Sequence, residues 1–375
     1  MVEIIGMIGV NREAPSSSGA SLSTFGGSIN PGGAVPAGVD PGYIMEFAKA
    51  HEASGFDKVL LGYSSATAEG FTVAGYAASH TLRLGYLIAH RAGFMAPTLA
   101  ARMAATLDQL TQGRIAMHLI SGGSDIEQQR DGDWLDHGQR YRRTDEYMEI
   151  LRRMWTENEP FNYDGEFYQL QEAHSQVRPW QLPHIPLFFG GASEDAKSVG
   201  AQRADVYALW GEPLAAIREQ IADIRGRASE HSREPHFSLS VRPILGATED
   251  QAWQKAHGIL DAVKESVGDS IKPGEPARLQ SIGSRRLLEF AAQREVHDQR
   301  LYMPIAQVSG AAGSTTALVG TAQQVAESML EYYDLGCTAF IIRGFDPLID
   351  AIEYGKELIP LVREGAARRE FGNQV

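Results

Sequence analysis

Short apolar runs alternate along the chain with longer segments in which apolar residues recur every three or four positions. The runs are rich in Ile, Leu, Val and Phe and predict β-strands that are buried on both faces. The longer segments have the periodicity of helices that bury one face. Strands are predicted at 4–10, 58–63, 82–90, 115–121, 186–191, 206–211, 237–245 and 339–344, and helices at 43–53, 71–79, 97–110, 144–155, 193–203, 213–227, 249–267, 322–335 and 347–363.

Eight strands, each followed by a helix, predict a single α/β domain over residues 1–375, folded as a (β/α)8 TIM barrel. A doubly wound open sheet is the alternative, but neither GxGxxG nor GxxxxGK[ST] follows the first strand. Insertions at the C-terminal face are predicted at about 157–186 and 265–316, the second either covering the mouth or lying elsewhere on the surface. The Ser/Gly/Pro-rich segment 16–41 is predicted as a loop, over the active site or merely on the surface.

Composition narrows the possible partners. With 34 Lys and Arg against 47 Asp and Glu, the formal net charge of −13 disfavours nucleic acid and anionic membranes. No apolar run has the roughly 18 residues of a membrane helix, and the first ten residues lack signal-peptide features. Cys337 is the only cysteine, so no intrachain disulfide can form, as expected in the cytoplasm. No HExxH-type cluster is present, and no metal site is predicted.

Barrels of this kind carry their active site at the C-terminal ends of the strands. The residues that close the predicted strands are rich in glycine and hydroxyl groups and include Trp210, Arg242 and Arg343. This set suits a planar anionic cofactor better than a bare proton-transfer site. No carboxylate pair, GxSxG motif or Cys–His pair can be located. His90 ends the third strand, where it either faces a cofactor or is a buried structural histidine.

Two segments favour binding of a phosphate group. Gly191, Ala192 and Ser193 precede a predicted helix, whose N-terminal amides and Ser193 hydroxyl can hold an anion. The alternative is that Ser193 only caps that helix. In the segment DHGQRY, His137 and Tyr141 share a helical face and can both donate to phosphate oxygens. A surface histidine and a packed tyrosine are the alternative there.

Several motifs, taken together in their order and spacing, resemble a known family. They are AARMAATLDQL (100–110) with Gly113-Arg114, SGG (121–123), DHGQRY (136–141), FGGAS (189–193), WGEP (210–213), ALVG (317–320) and DLG (334–336). The chain resembles the bacterial luciferase-like flavin-dependent monooxygenases over almost its whole length. Within them it most resembles the two-component alkanesulfonate monooxygenases.

The resemblance implies a barrel that binds reduced FMN (FMNH2), supplied by a separate NAD(P)H-dependent flavin reductase. With O2 as co-substrate, such an enzyme oxygenates a small organic substrate through a flavin peroxide. We expect a cytoplasmic homodimer or homotetramer. The residues implied to bind the cofactor, the first near the flavin ring and the others around the phosphate, are Ser121, His137, Tyr141, Gly191, Ala192 and Ser193.

Some positions depart from the alkanesulfonate pattern. Where that branch has an Arg and a His two residues apart on the seventh strand, this chain has Ser240 and Arg242. The tyrosine expected after the strand-eight glycine is Phe345, the cysteine of the second strand corresponds to Thr67, and residues 309–316 contain no arginine. The positive donors that a sulfonate needs are therefore partly replaced.

In one interpretation, two arginines replace the positive donors that the alkanesulfonate pattern would supply. Arg242 and Arg343 either restore an anion site with a different layout or brace loops by pairing with carboxylates. Carbon–sulfur cleavage of a sulfonate or related organosulfur compound is the leading hypothesis for the reaction. The alternatives are a deazaflavin-dependent oxidoreductase and a non-catalytic flavin-binding protein. The candidate catalytic residues are Thr67, Trp210, Arg242, Arg343 and Phe345.

Overall fold

The computed structural model describes residues 2–11, 23–24, 27–28, 38–267, 281–311 and 315–372. All eight predicted strands are present within this part of the chain, with ends that differ by a few residues from the prediction. The strands are β1 Glu3–Ile8, β2 Ser23–Thr24, β3 Gly27–Ser28, β4 Lys58–Leu61, β5 Gly85–Arg91, β6 Ile115–Ile120, β7 Phe161–Asp164, β8 Gln169–Ala173, β9 Leu187–Gly190, β10 Val206–Trp210, β11 His236–Leu245, β12 Val296–His297, β13 Leu301–Tyr302, β14 Ala317–Gly320 and β15 Cys337–Ile342.

All nine predicted helices are present among the described residues, but the helices at 125–130, 282–293 and 304–308 were not predicted, and the helix predicted at 347–363 is divided in two at Leu358. The described helices are α1 Pro41–Ala53, α2 Gly70–Ala78, α3 Pro97–Thr111, α4 Asp125–Arg130, α5 His137–Thr156, α6 Glu194–Arg203, α7 Leu214–Glu230, α8 Glu249–Val267, α9 Ile282–Gln293, α10 Pro304–Val308, α11 Ala322–Leu335, α12 Pro347–Glu357 and α13 Ile359–Gly372.

Eight parallel strands close into a ring. Their order around it is β1, β4, β5, β6, β9, β10, β11 and β15, and β15 pairs back to β1. Closure confirms the (β/α)8 barrel and excludes the doubly wound sheet, which would leave two unpaired edges.

The barrel strands are apolar on both faces because each face packs against something different. One set of side chains packs between the strands and the surrounding helices. The other set fills the interior of the barrel, as layers of side chains do in this fold. The interior cluster consists of Ile5, Met7, Leu60, Leu87, Ala89, Ala116, Phe188, Ala339 and Ile341.

Both predicted insertions contain regular structure. The first holds the antiparallel hairpin of β7 and β8. The second holds α9, β12, β13 and α10, and α9 lies over the mouth: a Cβ on Gly283 would be 3.0 Å from the Trp210 ring. This contact agrees with the covering interpretation, which stays a prediction. Most of segment 16–41 and residues 268–280 and 312–314 lie outside the described residues.

Helix α5 begins seven residues earlier than predicted, at His137 rather than 144. Asp136 and Gln139 form a capping box, in which each side chain accepts a hydrogen bond from the other residue's backbone amide. In the longer helix, His137 and Tyr141 lie one turn apart on the same face of its first turns, as the sequence predicted.

No helix among the described residues combines the length and apolar character needed to span a bilayer. In the same part of the chain, no three His, Cys, Asp or Glu side chains are grouped so that they could hold a metal ion.

Candidate active site

The barrel is open at the C-terminal ends of its strands. Inward-facing residues near the N-terminal end, such as Ala116, have no exposed surface. On the same faces, residues closer to the C-terminal end are partly exposed. This opening is called the mouth, and its partly exposed inward-facing residues are His118, Ile120, Gly190, Ala208, Trp210 and Arg343.

One wall of the mouth carries a cradle formed by Tyr141, Gly191 and Ser193. The Tyr141 hydroxyl is hydrogen-bonded to the Ser193 side chain, and burial raises the pKa of Tyr141, so its proton is retained at neutral pH. Ser193 Oγ also accepts from the backbone amide of Ala196 (3.1 Å), which makes it the N-cap of α6. Tyr141 and Ser193, two of the residues predicted to bind an anion, are therefore together at the N-terminus of α6.

Gly191 keeps the cradle open. A Cβ at this position would lie 2.6 Å from the Cβ of Ala196 and 3.3 Å from the Tyr141 hydroxyl. Tyr207 donates to the Gly191 carbonyl (2.6 Å), which holds the turn in place. Ala192 follows in the same turn and is half-buried. A larger residue at 191 would fill the space beside the hydroxyl groups.

His137 and an acidic helix start flank the cradle. The His137 ring lies 4.8 Å from the Tyr141 ring, edge to face. Glu194, in the first turn of α6, would compete with a bound anion for the helix dipole. Its carboxylate is instead paired with Arg227 (2.7 Å) and Lys197 (3.3 Å), and the hydrogen bond from Arg227 lowers the pKa of Glu194. The paired cations offset the charge that would repel a phosphate.

Ser121 is tied to the same helix as Tyr141. Its hydroxyl lies 2.9 Å from Thr144 Oγ1, and Thr144 donates to the Arg140 carbonyl one turn earlier in α5. The predicted ring-side residue and the predicted phosphate residues are therefore linked through α5, with Ser121 directly following β6.

The other wall holds the candidate catalytic arginines, Arg242 on β11 and Arg343 directly after the adjacent strand β15. Because Val241 pairs with Ile342, Arg242 and Arg343 follow at neighbouring positions. Arg242 is buried, donates to the Gly344 carbonyl (3.1 Å), and lies 5.0 Å above the ring of Phe345, a cation–π contact. Arg343 donates to Met7 Sδ (3.4 Å). Phe345 thus supports an arginine from below.

Thr67 has a local role in the loop after β4. Its Oγ1 accepts from the amide of Ser64 (2.9 Å) and donates to the Ser64 carbonyl (3.0 Å). The hydroxyl is therefore used within its own turn.

Trp210 and Glu212 connect the mouth to the second insertion. Glu212 is 3% exposed and accepts two hydrogen bonds from the guanidinium of Arg286 on α9. Gln220 donates to the same carboxylate (2.9 Å). This ion pair, in which the carboxylate is buried and the guanidinium half-buried, holds α9 beside Trp210.

A family model described as luciferase-like monooxygenase matches residues 21–339, more than four fifths of the chain. The chain belongs to the luciferase-like monooxygenase family. Membership makes this protein an enzyme, a flavin-dependent oxidoreductase, as the sequence predicts. The match is to the family as a whole, so the alkanesulfonate branch stays a prediction.

Solved structures of similar proteins share the barrel of this luciferase-like monooxygenase. Riboflavin lyase (RcaE), solved with modified FMN and riboflavin, is 18% identical over 97% of this chain and 91% of its own, with a TM-score of 0.75. EDTA monooxygenase (EmoA) from Chelativorans sp. BNC1 is 16% identical over 97% and 94%, with a TM-score of 0.71. An F420-dependent secondary alcohol dehydrogenase is 17% identical over 96% and 99%, with a TM-score of 0.66. At these identities the similarity shows the fold alone.

The site contains two further residues, Arg91 and His118, that the sequence prediction did not select as candidates. Arg91, at the end of β5, is buried, pairs with Glu127 (2.7 Å) and lies 4.6 Å above the Tyr63 ring. It ties the loop after β4 to α4. His118 lies inside the barrel, three residues before Ser121, where the predicted strand ends. Both residues belong to the site because they lie on the inward face of a barrel strand. The residue type alone does not tell which face a side chain is on.

His90 faces away from the mouth. Its Nε2 lies 2.7 Å from the Tyr147 hydroxyl, and its ring packs against Phe71. Burial lowers the pKa of His90 to about 4. Of the two alternatives for this residue, the buried structural histidine is the one observed.

The residues of the mouth fit a phosphate-bearing flavin. Gly191 leaves space beside two hydroxyl groups at a helix N-terminus, as an anion requires. Inside the barrel, Ser238 Oγ and His118 Nδ1 are enclosed and have no hydrogen-bond partner among the described residues. A planar group with polar edges would supply such partners.

Proposed function

We propose that this protein is a reduced-FMN-dependent monooxygenase that oxygenates a small organic substrate with O2. The observation that carries the proposal is the cradle of Tyr141, Gly191 and Ser193 next to the partly exposed barrel interior. When bound, reduced flavin would supply the oxygen chemistry. The protein's own residues bind the phosphate, orient the ring and limit the access of water.

In this proposal the cradle binds the phosphate. The Tyr141 hydroxyl and the amides at the start of α6 donate to the phosphate oxygens, with His137 at the rim. Ser121 holds the turn at the end of β6 against α5. These groups are fixed by existing hydrogen bonds, so little reorganisation is needed on binding.

The opposite wall of the mouth, which carries the two arginines, binds the substrate. Arg242 is held by the Gly344 carbonyl and the Phe345 ring, and Arg343 lies at the adjacent strand end. Two neighbouring guanidinium groups attract an anionic substrate and stabilise negative charge that develops during oxygen transfer. Trp210 contributes an apolar surface under α9. A sulfonate or a related organosulfur anion matches this combination, with carbon–sulfur cleavage as the reaction.

A separate NAD(P)H-dependent reductase would supply the reduced flavin, as the resemblance to the two-component enzymes implies. The single cysteine fits a reducing cytoplasm. A homodimer or homotetramer is the expected assembly.

The test is a stopped-flow mix of the protein, holding anaerobically reduced FMN, with oxygenated buffer. An oxygenase gives a long-lived absorbing transient before the flavin reoxidises, and a sulfonate substrate accelerates its decay. Reoxidation at the rate of free reduced FMN would contradict the proposal.

Deazaflavin-dependent hydride transfer is the second candidate function, because an F420-dependent alcohol dehydrogenase shares the fold. Binding assays with reduced FMN and with reduced deazaflavin discriminate between the two. The non-catalytic flavin-binding alternative does not hold, because the chain belongs to an enzyme family. In a monooxygenase, Arg242→Ala lowers substrate-dependent decay of the transient while the flavin still binds.

A further inference from the structure

His118 is a polar residue inside the barrel that the proposed function leaves unused. Its neighbours Met117 and Leu119 pack against the helices, whereas Ala116 belongs to the interior cluster. Because side chains alternate along a strand, His118 faces the interior with Ala116. Its ring lies 6.4 Å from that of Phe188, another interior residue.

His118 lies at the base of the mouth. Ala116, one inward position deeper on β6, has no exposed surface, while His118 and Ile120 are both partly exposed. The open part of the barrel therefore reaches down β6 as far as the imidazole. A molecule that fills the mouth along β6 meets this ring as its deepest polar contact on that strand.

One ring nitrogen of His118 has no partner among the described residues. Nδ1 is enclosed and makes no hydrogen bond within the part of the chain that the structure describes. Burial lowers the pKa of His118 to about 4, so at neutral pH the ring is uncharged and offers one donor and one acceptor. Enclosed polar atoms without partners are uncommon in native proteins. His118 as a whole is partly exposed, so the exposed edge of its ring is open to the occupant of the mouth.

The position of His118 indicates which occupant it meets. It pairs in register with Phe188 on β9, and the cradle glycine Gly191 follows three residues later. At the rise of a β-strand, that distance is roughly 10 Å. The two arginines, by contrast, are on β11 and at the end of β15, and neither strand is a neighbour of β6. His118 is on the wall that leads from the cradle into the barrel.

We propose that His118 forms a hydrogen bond to the edge of the flavin ring at the base of the mouth and so fixes the depth of the ring. The inference rests on the proposed function, because it assumes a flavin whose phosphate occupies the cradle. An uncharged imidazole suits the uncharged donors and acceptors of a flavin edge and not the phosphate.

The experiment compares FMN and riboflavin binding, followed by quenching of flavin fluorescence and by the absorption spectrum of the bound oxidised flavin. The variants are His118→Phe and His118→Gln. The matched control is His90→Phe, since His90 is likewise an uncharged histidine in a barrel strand but is buried and faces outward. Loss of one neutral hydrogen bond weakens binding by about 3- to 10-fold. We expect this loss for His118→Phe with both flavins equally, a shifted absorption band, and unchanged binding for His90→Phe.

Each outcome is decisive. A wild-type protein that binds neither flavin overturns the proposed function and, with it, this inference. Wild-type binding with unchanged affinity and spectrum in His118→Phe overturns the inference alone and assigns Nδ1 to water. A loss confined to FMN would place the histidine at the phosphate and also overturn it. Should His118→Phe not fold, the shifted absorption band in His118→Gln decides the question.

Discussion

Removing the Tyr141 hydroxyl tests the cradle directly. The residue is half-buried and hydrogen-bonded to Ser193, so Tyr141→Phe removes one donor and leaves the ring packing in place. A hydrogen bond to a charged group contributes about 1.5–3 kcal/mol, which corresponds to about 10- to 150-fold in Kd. We expect a loss of this size in the affinity for FMN, measured by fluorescence titration at constant ionic strength.

Riboflavin, which lacks the phosphate, is the internal control. Its affinity should be the same for Tyr141→Phe and the wild-type protein, so that only the ratio of the two dissociation constants changes. Equal losses for FMN and riboflavin would mean that Tyr141 acts on the ring or on the fold. An unchanged ratio with full FMN affinity would refute the assignment of the phosphate to this cradle.

Three further predictions concern the cradle, the mouth and acid stability. Gly191→Ala brings a Cβ into the first turn of α6 and should cost about 1–3 kcal/mol of stability, together with FMN affinity; urea denaturation and the same titration measure both. Glu212→Gln weakens the ion pair to Arg286, so amide hydrogen exchange should accelerate in α9 and not in the barrel strands. Burial lowers the pKa values of His51 and His90 to about 4. The unfolded chain therefore binds more protons between pH 6.5 and 4, and stability present above pH 6.5 is lost as the pH falls. Each histidine should cost about 2 kcal/mol between pH 7 and 5, measured by urea denaturation at both pH values; a His51→Gln variant with the same pH dependence would contradict this assignment.

The sequence pattern predicted the barrel because its strands are apolar runs separated by helical periodicity, a signal that does not depend on distant contacts. It did not predict β14. The run of residues 317–320 is short, and its partner is the second half of β11, which only the tertiary structure brings beside it.

The candidate site was predicted unevenly for a related physical reason. Tyr141, Gly191 and Ser193 lie at helix starts and turns, where local sequence carries the chemistry. His90 and His118 are both histidines in strands that are apolar on both faces, so alternation cannot tell inward from outward. The register of neighbouring strands decides that His118 faces the mouth and His90 the helices.

The length of β11 has a consequence for protein engineering. Its first half pairs with β10 and β15, while Arg242 to Leu245 pair with β14 at the end of the second insertion. An exchange of this insertion between family members that cuts before residue 317 would leave β14 to match a foreign β13. A cut after residue 320 would replace the backbone that pairs with Arg242. Grafts that alter substrate range should therefore transfer β11 and β14 as one unit.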